Sequence, residues 1–168
     1  MEIRDAVAED SRGITAIYND AVLNGRAIWN ERAVGVANRA QWIEDHRSAD
    51  LPVFVAVEGD TVLGYASYGP YRDFDGYRQT VENSVYIREG QRGKGVGQAL
   101  MAALIDHART HGKHVIVAAI EASNTGSIAL HEKLGFERVG LLKEVGSKFG
   151  AWLDLVFLQL ILEEEAPQ

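Results

Sequence analysis

The sequence contains no cysteine, which excludes disulfide bonds, thiolate metal sites and a cysteine nucleophile. It also contains no apolar run of the roughly 20 residues that are needed to cross a bilayer. The first residues, Met1 to Asp5, lack the basic and then apolar layout of a secretory signal. We therefore expect a cytoplasmic protein with no membrane partner.

Basic residues are outnumbered by acidic ones, with 17 Lys and Arg against 24 Asp and Glu and a formal net charge of -7. This balance argues against a surface that neutralises the phosphates of a nucleic acid, so we expect no nucleic-acid partner. The length of 168 residues suits one hydrophobic core and is too short for two independent domains. We expect a single domain over residues 1–163 and a solvated acidic tail over residues 164–168.

Hydrophobic periodicity predicts the secondary structure of the first half of the chain. The pattern indicates a strand, two helices and a hairpin, at Ile3 to Val7, Ile14 to Val22, Val36 to Ile43, and Val53 to Tyr68. Asp10 is placed to cap the first helix, and Gly59 with Asp60 suits the tight turn of the hairpin.

The second half alternates strands and helices before a closing pair of strands. These elements are predicted at Thr80 to Arg88, Val96 to Ala108, His114 to Ile120, Asn124 to Leu134, Phe136 to Val145, and Trp152 to Leu162. Asn124 caps the last helix, and Gly146 to Gly150 forms the final turn. The order β-α-α-β-β-β-α-β-α-β-β predicts an α/β fold with one mixed sheet.

A glycine-rich turn joins the fourth predicted strand to the third predicted helix. Such a turn presents unpaired backbone N–H groups and the positive end of a helix dipole, which together attract phosphate. A Walker loop needs Ser or Thr after Gly-Lys, but Gly95 follows Lys94. A dinucleotide fingerprint needs a glycine three residues after its second glycine, where this sequence has Gln98 or Leu100. Both nucleotide motifs therefore fail on spacing.

The turn Arg92-Gly93-Lys94-Gly95-Val96-Gly97 resembles the coenzyme A loop of the GNAT superfamily of N-acetyltransferases. Three further segments resemble its phosphinothricin and methionine sulfoximine acetyltransferases, at Thr80 to Ile87, Leu130 to Phe136 and Val145 to Asp154. The resemblance implies a GNAT fold, a single-domain mixed central sheet of about seven strands with about four helices, splayed at the central parallel strands. It also implies an N-acetyltransferase with acetyl-CoA as co-substrate.

The resemblance further implies which residues contact coenzyme A. They lie on the fourth strand, the glycine loop and the last helix, at Val85, Tyr86, Ile87, Arg92, Gly93, Lys94, Gly95, Val96, Gly97, Gln98, Asn124 and Lys133. The loop amides would bind the pyrophosphate, and the strand main chain would pair with the pantetheine arm. From the residues alone, Asn124 can equally be a helix cap, and Lys133 can be a solvated lysine.

Acetyl transfer from a thioester requires a neutral amine, a donor for the carbonyl oxygen and a proton for the departing thiolate. Glu82 lies just before the stretch that the resemblance assigns to coenzyme A, and the resemblance makes it the first candidate to accept the amine proton, directly or through water. From the residues alone, it can equally be an exposed strand residue or part of a structural ion pair. His131 lies seven residues after Asn124, so the two share a helix face. It is either a general acid or base or a hydrogen-bonded helix histidine. A backbone N–H near Val85 or Tyr86 is the expected oxygen donor.

The loop between the third and fourth strands offers guanidinium groups and aromatic walls for an amino acid. Arg72 is the candidate for its carboxylate, with Phe74, Asp75, Gly76 and Tyr77 nearby. By resemblance, the site also includes four residues from the early helices and the final hairpin, the latter across a homodimer: Trp29, Asn30, Lys148 and Phe149.

The implied acceptor is a small amino-acid-like amine of the phosphinothricin, methionine sulfoximine or methionine sulfone type. Two alternatives stay open, namely a protein N-terminus or other amine as acceptor, and a noncatalytic module that senses acetyl-CoA. His107, His111 and His114 do not form the zincin pattern because no Glu follows His107. Cations near a helix C-terminus are favoured in any case, so we expect no metal.

Overall fold

The computed structural model describes residues 1–162, and the predicted tail at residues 164–168 lies outside them. The strands are β1 (Glu2–Asp5), β2 (Val53–Glu58), β3 (Thr61–Pro70), β4 (Thr80–Ile87), β5 (Val115–Glu121), β6 (Glu137–Lys148) and β7 (Ala151–Ile161). The α-helices are α1 (Ser11–Asn24), α2 (Val36–Ser48), α3 (Val96–Thr110) and α4 (Thr125–Lys133), with 3-10 turns at Ala8–Asp10 and Asp75–Tyr77. This order confirms the predicted succession. None of the helices in residues 1–162 has the length and apolar content of a membrane span.

The sheet divides where its two central strands part. Its order is β1-β2-β3-β4-β5-β7-β6, and β4 and β5 form the one parallel pair of the described strands. That pairing runs from Thr80 opposite Val115 to Glu82 opposite Val117 and then ends, whereas β4 stays paired with β3 as far as Ile87. Beyond Glu82, the main chain of β4 therefore faces a gap, which confirms the predicted splay.

Helices pack on both faces of the sheet. On one face, Leu100 and Leu104 of α3 are fully buried in a cluster with Ile116 of β5. On the other face, Ile14 of α1 and Ile43 of α2 pack in a second cluster with strands β2 and β3. Because both faces are covered, strands β2 and β5 consist of nearly continuous apolar residues rather than of a strict alternation.

The two predicted helix caps have different outcomes. Asn124 caps α4 as expected, because its Oδ1 accepts a hydrogen bond from the Ser127 amide at 3.2 Å. Asp10 does not cap α1 with its side chain. Its carboxylate instead accepts the Val7 amide at 2.8 Å and pairs with Arg4 at 2.7 Å. The reason is that Asp10 ends a 3-10 turn in helical conformation, so its side chain lies toward β1.

The final hairpin has a tighter turn than the sequence predicts. Its turn is Phe149 and Gly150, both with positive φ, rather than the five residues from Gly146 to Gly150. Gly146 instead pairs within the ladder, opposite Leu153. A Cβ at Gly146 would overlap the ring of Trp29. This glycine is therefore required by packing against the segment after α1 and not by the turn.

Lys148, which the resemblance assigns to the acceptor site, is instead buried beneath the end of α1. Its Nζ donates to the carbonyl oxygens of Gly25 and Ile28 at 2.6 Å and of Ala21 at 3.3 Å. The bonds to Ala21 and Gly25 satisfy carbonyls at the end of α1, where a cation is favoured, and the bond to Ile28 fixes the segment that follows. We therefore assign Lys148 to anchoring α1 on β6.

We predict that Lys148→Met lowers the free energy of unfolding by about 2–3 kcal/mol, because the stem still fits while three carbonyls lose their donor. Chemical denaturation followed by circular dichroism measures this change. Lys143→Met is the matched control on β6, where the side chain is exposed, and it should change stability by less than about 0.5 kcal/mol. Equal effects of the two substitutions would contradict the anchoring role.

Candidate active site

The glycine loop presents free amides at the start of α3. Gly93 and Gly95 have φ of 74° and 82°, a left-handed conformation that favours glycine. Gly95 occupies the N-cap position, where no side chain caps the helix. Within residues 1–162, no acceptor makes a hydrogen bond of ordinary geometry with the amides from Arg92 to Gln98. These amides and the helix dipole form a site suited to a pyrophosphate.

A cleft of about 150 Å³ lies where β4 and β5 separate. It is lined by both strands and by the first turns of α4, including Glu82, Asn83, Val85, Tyr86, Glu121, Asn124, Ser127 and His131. Because β4 lacks a strand partner here, an extended chain can hydrogen-bond to its main chain as an added strand. The Asn83 Oδ1 is buried without a hydrogen-bond partner among residues 1–162. The cleft therefore offers both backbone and side-chain hydrogen-bonding groups.

His131 is buried at the wall of this cleft. Its Nδ1 lies 2.7 Å from the Ser127 carbonyl oxygen, so Nδ1 carries the proton. Its Nε2 lies 3.1 Å from the Asn83 Nδ2 and accepts from it. Burial lowers the pKa of His131, against the opposing effect of the Ser127 carbonyl. This geometry favours the neutral, hydrogen-bonded helix histidine over a general acid, and we assign His131 to holding Asn83 in the cleft.

A second cavity, of about 290 Å³, lies between the β3–β4 pair and helices α1 and α2. Its floor consists of three cross-strand pairs, Tyr65 with Tyr86, Ser67 with Ser84, and Gly69 with Glu82. Its roof consists of Tyr18 from α1 and of Arg39, Trp42 and His46 from α2. We call this space the acceptor cavity. It meets the cleft along Glu82, Ser84 and Tyr86, which line both.

Glu82 stands at the junction of the cleft and the acceptor cavity. Burial by the surrounding protein raises the pKa of Glu82 above its ordinary value, although its side chain still reaches solvent through the open cavity. The positive charge of Arg72 opposes this rise. A carboxylate of raised pKa is a better proton acceptor while it remains ionised at neutral pH. The position and the basicity both suit removal of a proton from an amine.

A model of the acetyltransferase (GNAT) family matches residues 14–136. The L-methionine sulfoximine/L-methionine sulfone acetyltransferase of Pseudomonas aeruginosa is 56% identical over 162 residues, which cover 96% of this chain and 94% of that protein. The phosphinothricin N-acetyltransferase of Streptomyces coelicolor is 32% identical, with 95% of each chain covered. The chain belongs to the GNAT acetyltransferase family.

Solved structures agree with this membership of the GNAT family. A putative acetyltransferase from Salmonella typhimurium, solved with its cofactor acetyl-CoA, has a TM-score of 0.97 at 50% identity and covers 100% of this chain and 97% of its own. A ribosomal-protein-alanine N-acetyltransferase from Brucella melitensis has a TM-score of 0.94 at 52% identity, with coverage of 96% and 100%. The GNAT fold predicted from the sequence is thus confirmed.

This GNAT acetyltransferase takes acetyl-CoA as its co-substrate. Two features of the chain fit that molecule. The free amides of the glycine loop, from Arg92 to Gln98, suit its pyrophosphate. The gap beside Val85, Tyr86 and Ile87 suits its pantetheine arm, which carries amide groups. When bound, acetyl-CoA supplies the acetyl group as a thioester.

The predicted acceptor loop lies at the rim and does not line the acceptor cavity. Phe74 is 75% exposed, and Asp75, Gly76 and Tyr77 form an exposed 3-10 turn. The Arg72 guanidinium lies over the ring of Tyr71 at 5.3 Å, and its charge acts on Glu82. Arg72 is therefore the residue of this loop that the structure links to the junction.

The four other predicted residues, Trp29, Asn30, Lys133 and Phe149, do not line the cleft or the acceptor cavity. Asn30 contacts the roof, because its Nδ2 donates to the Tyr18 hydroxyl at 2.9 Å. Trp29 packs on β6 and donates from Nε1 to the Arg26 carbonyl at 2.9 Å. Phe149 at the hairpin tip and Lys133 on α4 are exposed and line neither space.

The roof residues on α2 are absent from the sequence-based predictions. Arg39, Trp42 and His46 recur at three- and four-residue spacing, so they share one helix face. The sequence signal that could have identified these residues is a face of polar and aromatic side chains on a helix with few apolar residues. Its direction toward a cavity depends on the packing of α2 against β3, which no local pattern contains.

We predict that Glu82→Gln lowers kcat/KM about 100- to 1000-fold, because the isosteric amide cannot accept a proton. The affinity for acetyl-CoA, measured by calorimetry, should stay within about twofold, since Glu82 touches the acceptor side of the junction. In the unsubstituted enzyme, activity should fall as pH drops through the raised pKa of Glu82, because the base must be ionised.

The pH profile separates this role from a structural one. In a plot of activity against pH, the fall at low pH that is due to Glu82 should disappear in Glu82→Gln. The pH dependence that is due to ionisation of the acceptor amine should remain in both proteins. Glu58→Gln, at an exposed position at the end of β2, is the control and should keep the profile unchanged. A parallel loss of acetyl-CoA affinity and activity in Glu82→Gln would contradict the role of proton acceptor.

Proposed function

We propose that this enzyme transfers the acetyl group of acetyl-CoA to the α-amino group of a small amino acid of the methionine sulfoximine, methionine sulfone or phosphinothricin type. The observation that carries the proposal is the meeting of two spaces at Glu82, one that suits an extended thioester arm and one covered on one side by a polar and aromatic roof. The names of the relatives from Pseudomonas aeruginosa and Streptomyces coelicolor support the same acceptor class.

In the proposed reaction, Glu82 accepts a proton from the ammonium group of the acceptor, directly or through one water. The neutral nitrogen attacks the thioester carbonyl carbon, so that a C–N bond forms and the C–S bond breaks. A backbone N–H of β4 near Val85 donates to the carbonyl oxygen as its charge develops. The thiolate leaves with a proton that ultimately comes from the amine. The sheet thus provides both the base and the oxygen donor from one strand.

The acceptor is held by charge as well as by shape. Arg72 lies close enough to Glu82 for its charge to lower the carboxyl pKa. In an α-amino acid, the carboxylate is separated from the amine by one carbon atom, so we expect the two groups to bind to these two side chains. We propose that Arg72 binds the carboxylate with its planar fork of donors.

A protein N-terminus is the second candidate acceptor, because a structural relative carries the name of a ribosomal-protein-alanine N-acetyltransferase. A peptide lacks a free carboxylate beside its amine and continues away from the site. The volume of about 290 Å³ and the roof over the acceptor cavity favour a single amino acid. A noncatalytic acetyl-CoA sensor would not need a carboxylate of raised pKa at the junction.

We predict thiol release from acetyl-CoA with L-methionine sulfone, L-methionine sulfoximine and L-phosphinothricin in a panel of amines. The methyl ester of L-methionine sulfone should lose at least about tenfold in kcat/KM, because it removes the charge that Arg72 holds. Peptides with N-terminal alanine should react more slowly than the amino acids. Thiol release with peptides alone would support the second acceptor, and acetyl-CoA binding without thiol release from any amine would support the sensor.

We also propose a homodimer that forms through β6, and a location in the cytoplasm, where acetyl-CoA is available. β6 is an edge strand of the sheet. Its surroundings expose large apolar side chains: Val139, Leu141, Leu142, Val145, Phe149 and Trp152. A long edge strand with an exposed apolar surface invites pairing with another chain. A second copy of the same strand would cover this surface.

We predict that light scattering gives twice the mass of the chain, and that the double substitution Leu141→Lys and Val145→Lys reduces it to the mass of one chain. Each lysine places a charge in the apolar surface, where burial without a partner is unfavourable. Val7→Lys is the control, since Val7 is exposed beside β1 at the opposite edge of the sheet. A single-chain mass for the unsubstituted protein would overturn the proposed dimer.

A further inference from the structure

Arg39 places a guanidinium at the roof of the acceptor cavity, and its terminal nitrogens have no partner among residues 1–162. Its Cζ lies 4.3 Å from the ring centre of Tyr18 and 5.0 Å from that of Trp42, so two rings fix its position. Its Nε donates to the Asn38 side chain at 3.0 Å. Among residues 1–162, no carboxylate forms an ion pair with Arg39, and its terminal nitrogens have no hydrogen-bond acceptor. These donors remain for an occupant of the cavity.

Tyr65 supplies a second group without a partner at the same end of the cavity. Its ring contacts those of Trp42 and Tyr86, with centroids at 5.8 Å and 5.4 Å. The hydroxyl is buried and has no hydrogen-bond partner in the described part of the chain. Burial raises the pKa of Tyr65, so the hydroxyl keeps its proton and can donate it in a hydrogen bond. A buried polar group without a partner is costly, and binding sites are places where a ligand supplies the partner.

The register of the floor sets the order of these groups along the cavity. Gly69 and Glu82 face each other at one end, and Tyr65 and Tyr86 face each other four residues further along β4. At about 3.3 Å per residue, the two ends are roughly 13 Å apart between Cα atoms. The charge of Arg72 acts on Glu82, whereas the charge of Arg39 acts on both tyrosines.

This order decides which part of an amino acid reaches Arg39. With the amine at Glu82, the carboxylate is separated from the nitrogen by one carbon atom and stays near Arg72. Only the far end of the acceptor side chain extends toward Arg39 and Tyr65. A cation and a hydroxyl donor at that end suit oxygen atoms that carry negative charge and accept several hydrogen bonds.

We propose that Arg39 and Tyr65 form a subsite for the tetrahedral oxo group at the end of the acceptor side chain, as found in a sulfone, a sulfoximine or a phosphinate. This inference rests on the proposed amino acid acetylation. The subsite selects such acceptors over amino acids of equal length with apolar ends, because an apolar end leaves both donors unpaired. Specificity then resides on the roof and floor of the acceptor cavity, apart from the proton transfer at Glu82.

The test compares Tyr65→Phe and Arg39→Gln with the unsubstituted enzyme, using L-methionine sulfone and L-methionine, which differ by the two sulfone oxygens. Each variant should lose about tenfold or more in kcat/KM for the sulfone and stay within about twofold for methionine. Where methionine reacts too slowly to assay, its inhibition constant against the sulfone provides the same comparison.

Tyr68→Phe is the matched control, because Tyr68 is also a buried tyrosine of β3 but belongs to the core on the other face and bonds His107 at 2.7 Å. It should lower the Tm of the free protein and leave the sulfone preference unchanged. Tyr65→Phe should keep or raise that Tm, because the free protein offers its hydroxyl no partner. A structural role for Tyr65 would give the opposite result.

The outcomes separate this inference from the proposed function. If the unsubstituted enzyme acetylates amino acids but Tyr65→Phe and Arg39→Gln keep its sulfone preference, the subsite is wrong and the function stands. If both variants lose activity equally on sulfone and methionine, Arg39 and Tyr65 serve the common amino acid core and the subsite is again wrong. If the unsubstituted enzyme acetylates no amino acid, the function and the subsite both fail.

Discussion

The separation of β4 from β5 after Glu82 is the constraint on which the rest of the site depends. A parallel pair that continued to the end of both strands would use the main chain of residues 83–87 in its own hydrogen bonds. By ending at Glu82, the pairing leaves an edge of backbone that can bind an extended arm inside the sheet. It also places one carboxylate at the point where this edge begins. The surface that suits the pantetheine arm and the position of the proposed proton acceptor therefore both follow from one interruption of the strand pairing.

The two titratable groups at this point, Glu82 and His131, have pKa values that are shifted in opposite directions. Glu82 gains basicity because protein surrounds it, and Arg72 limits the gain. His131 is kept neutral because its pKa is lowered by burial and its two nitrogens are engaged by Ser127 and Asn83. A carboxyl of raised pKa and an imidazole of lowered pKa thus result from the same general effect, the cost of charge away from water. The pKa shifts differ in direction because the ionised carboxyl is an anion, whereas the ionised imidazole is a cation.

Sequence patterns predict the parts of this protein that local physics determines. The apolar stripe of α3, the glycine loop and the Asn124 cap each depend on neighbours along the chain, and the structure confirms them. The position of Glu82 followed from a family resemblance, and its exact role stays a proposal. Patterns fail where a distant segment decides the outcome. Asp10 turns to Arg4 instead of capping α1, and Gly146 is required by the ring of Trp29 rather than by a turn.

The roof of the acceptor cavity shows why these distant contacts matter for function. Lys148 fixes the carbonyls at the end of α1, and the same segment continues to Trp29, which packs on β6. Asn30 then bonds to the hydroxyl of Tyr18, over whose ring Arg39 lies. A chain of contacts therefore joins the edge strand to the guanidinium at the roof. The residues at 29–30 and 148, which the resemblance placed in the site, are connected to the acceptor cavity through Tyr18 and the position of α1. Because the roof is held from β6 while the proposed base stands on β4, the proposed acceptor subsite can vary without any change to the strand that carries Glu82.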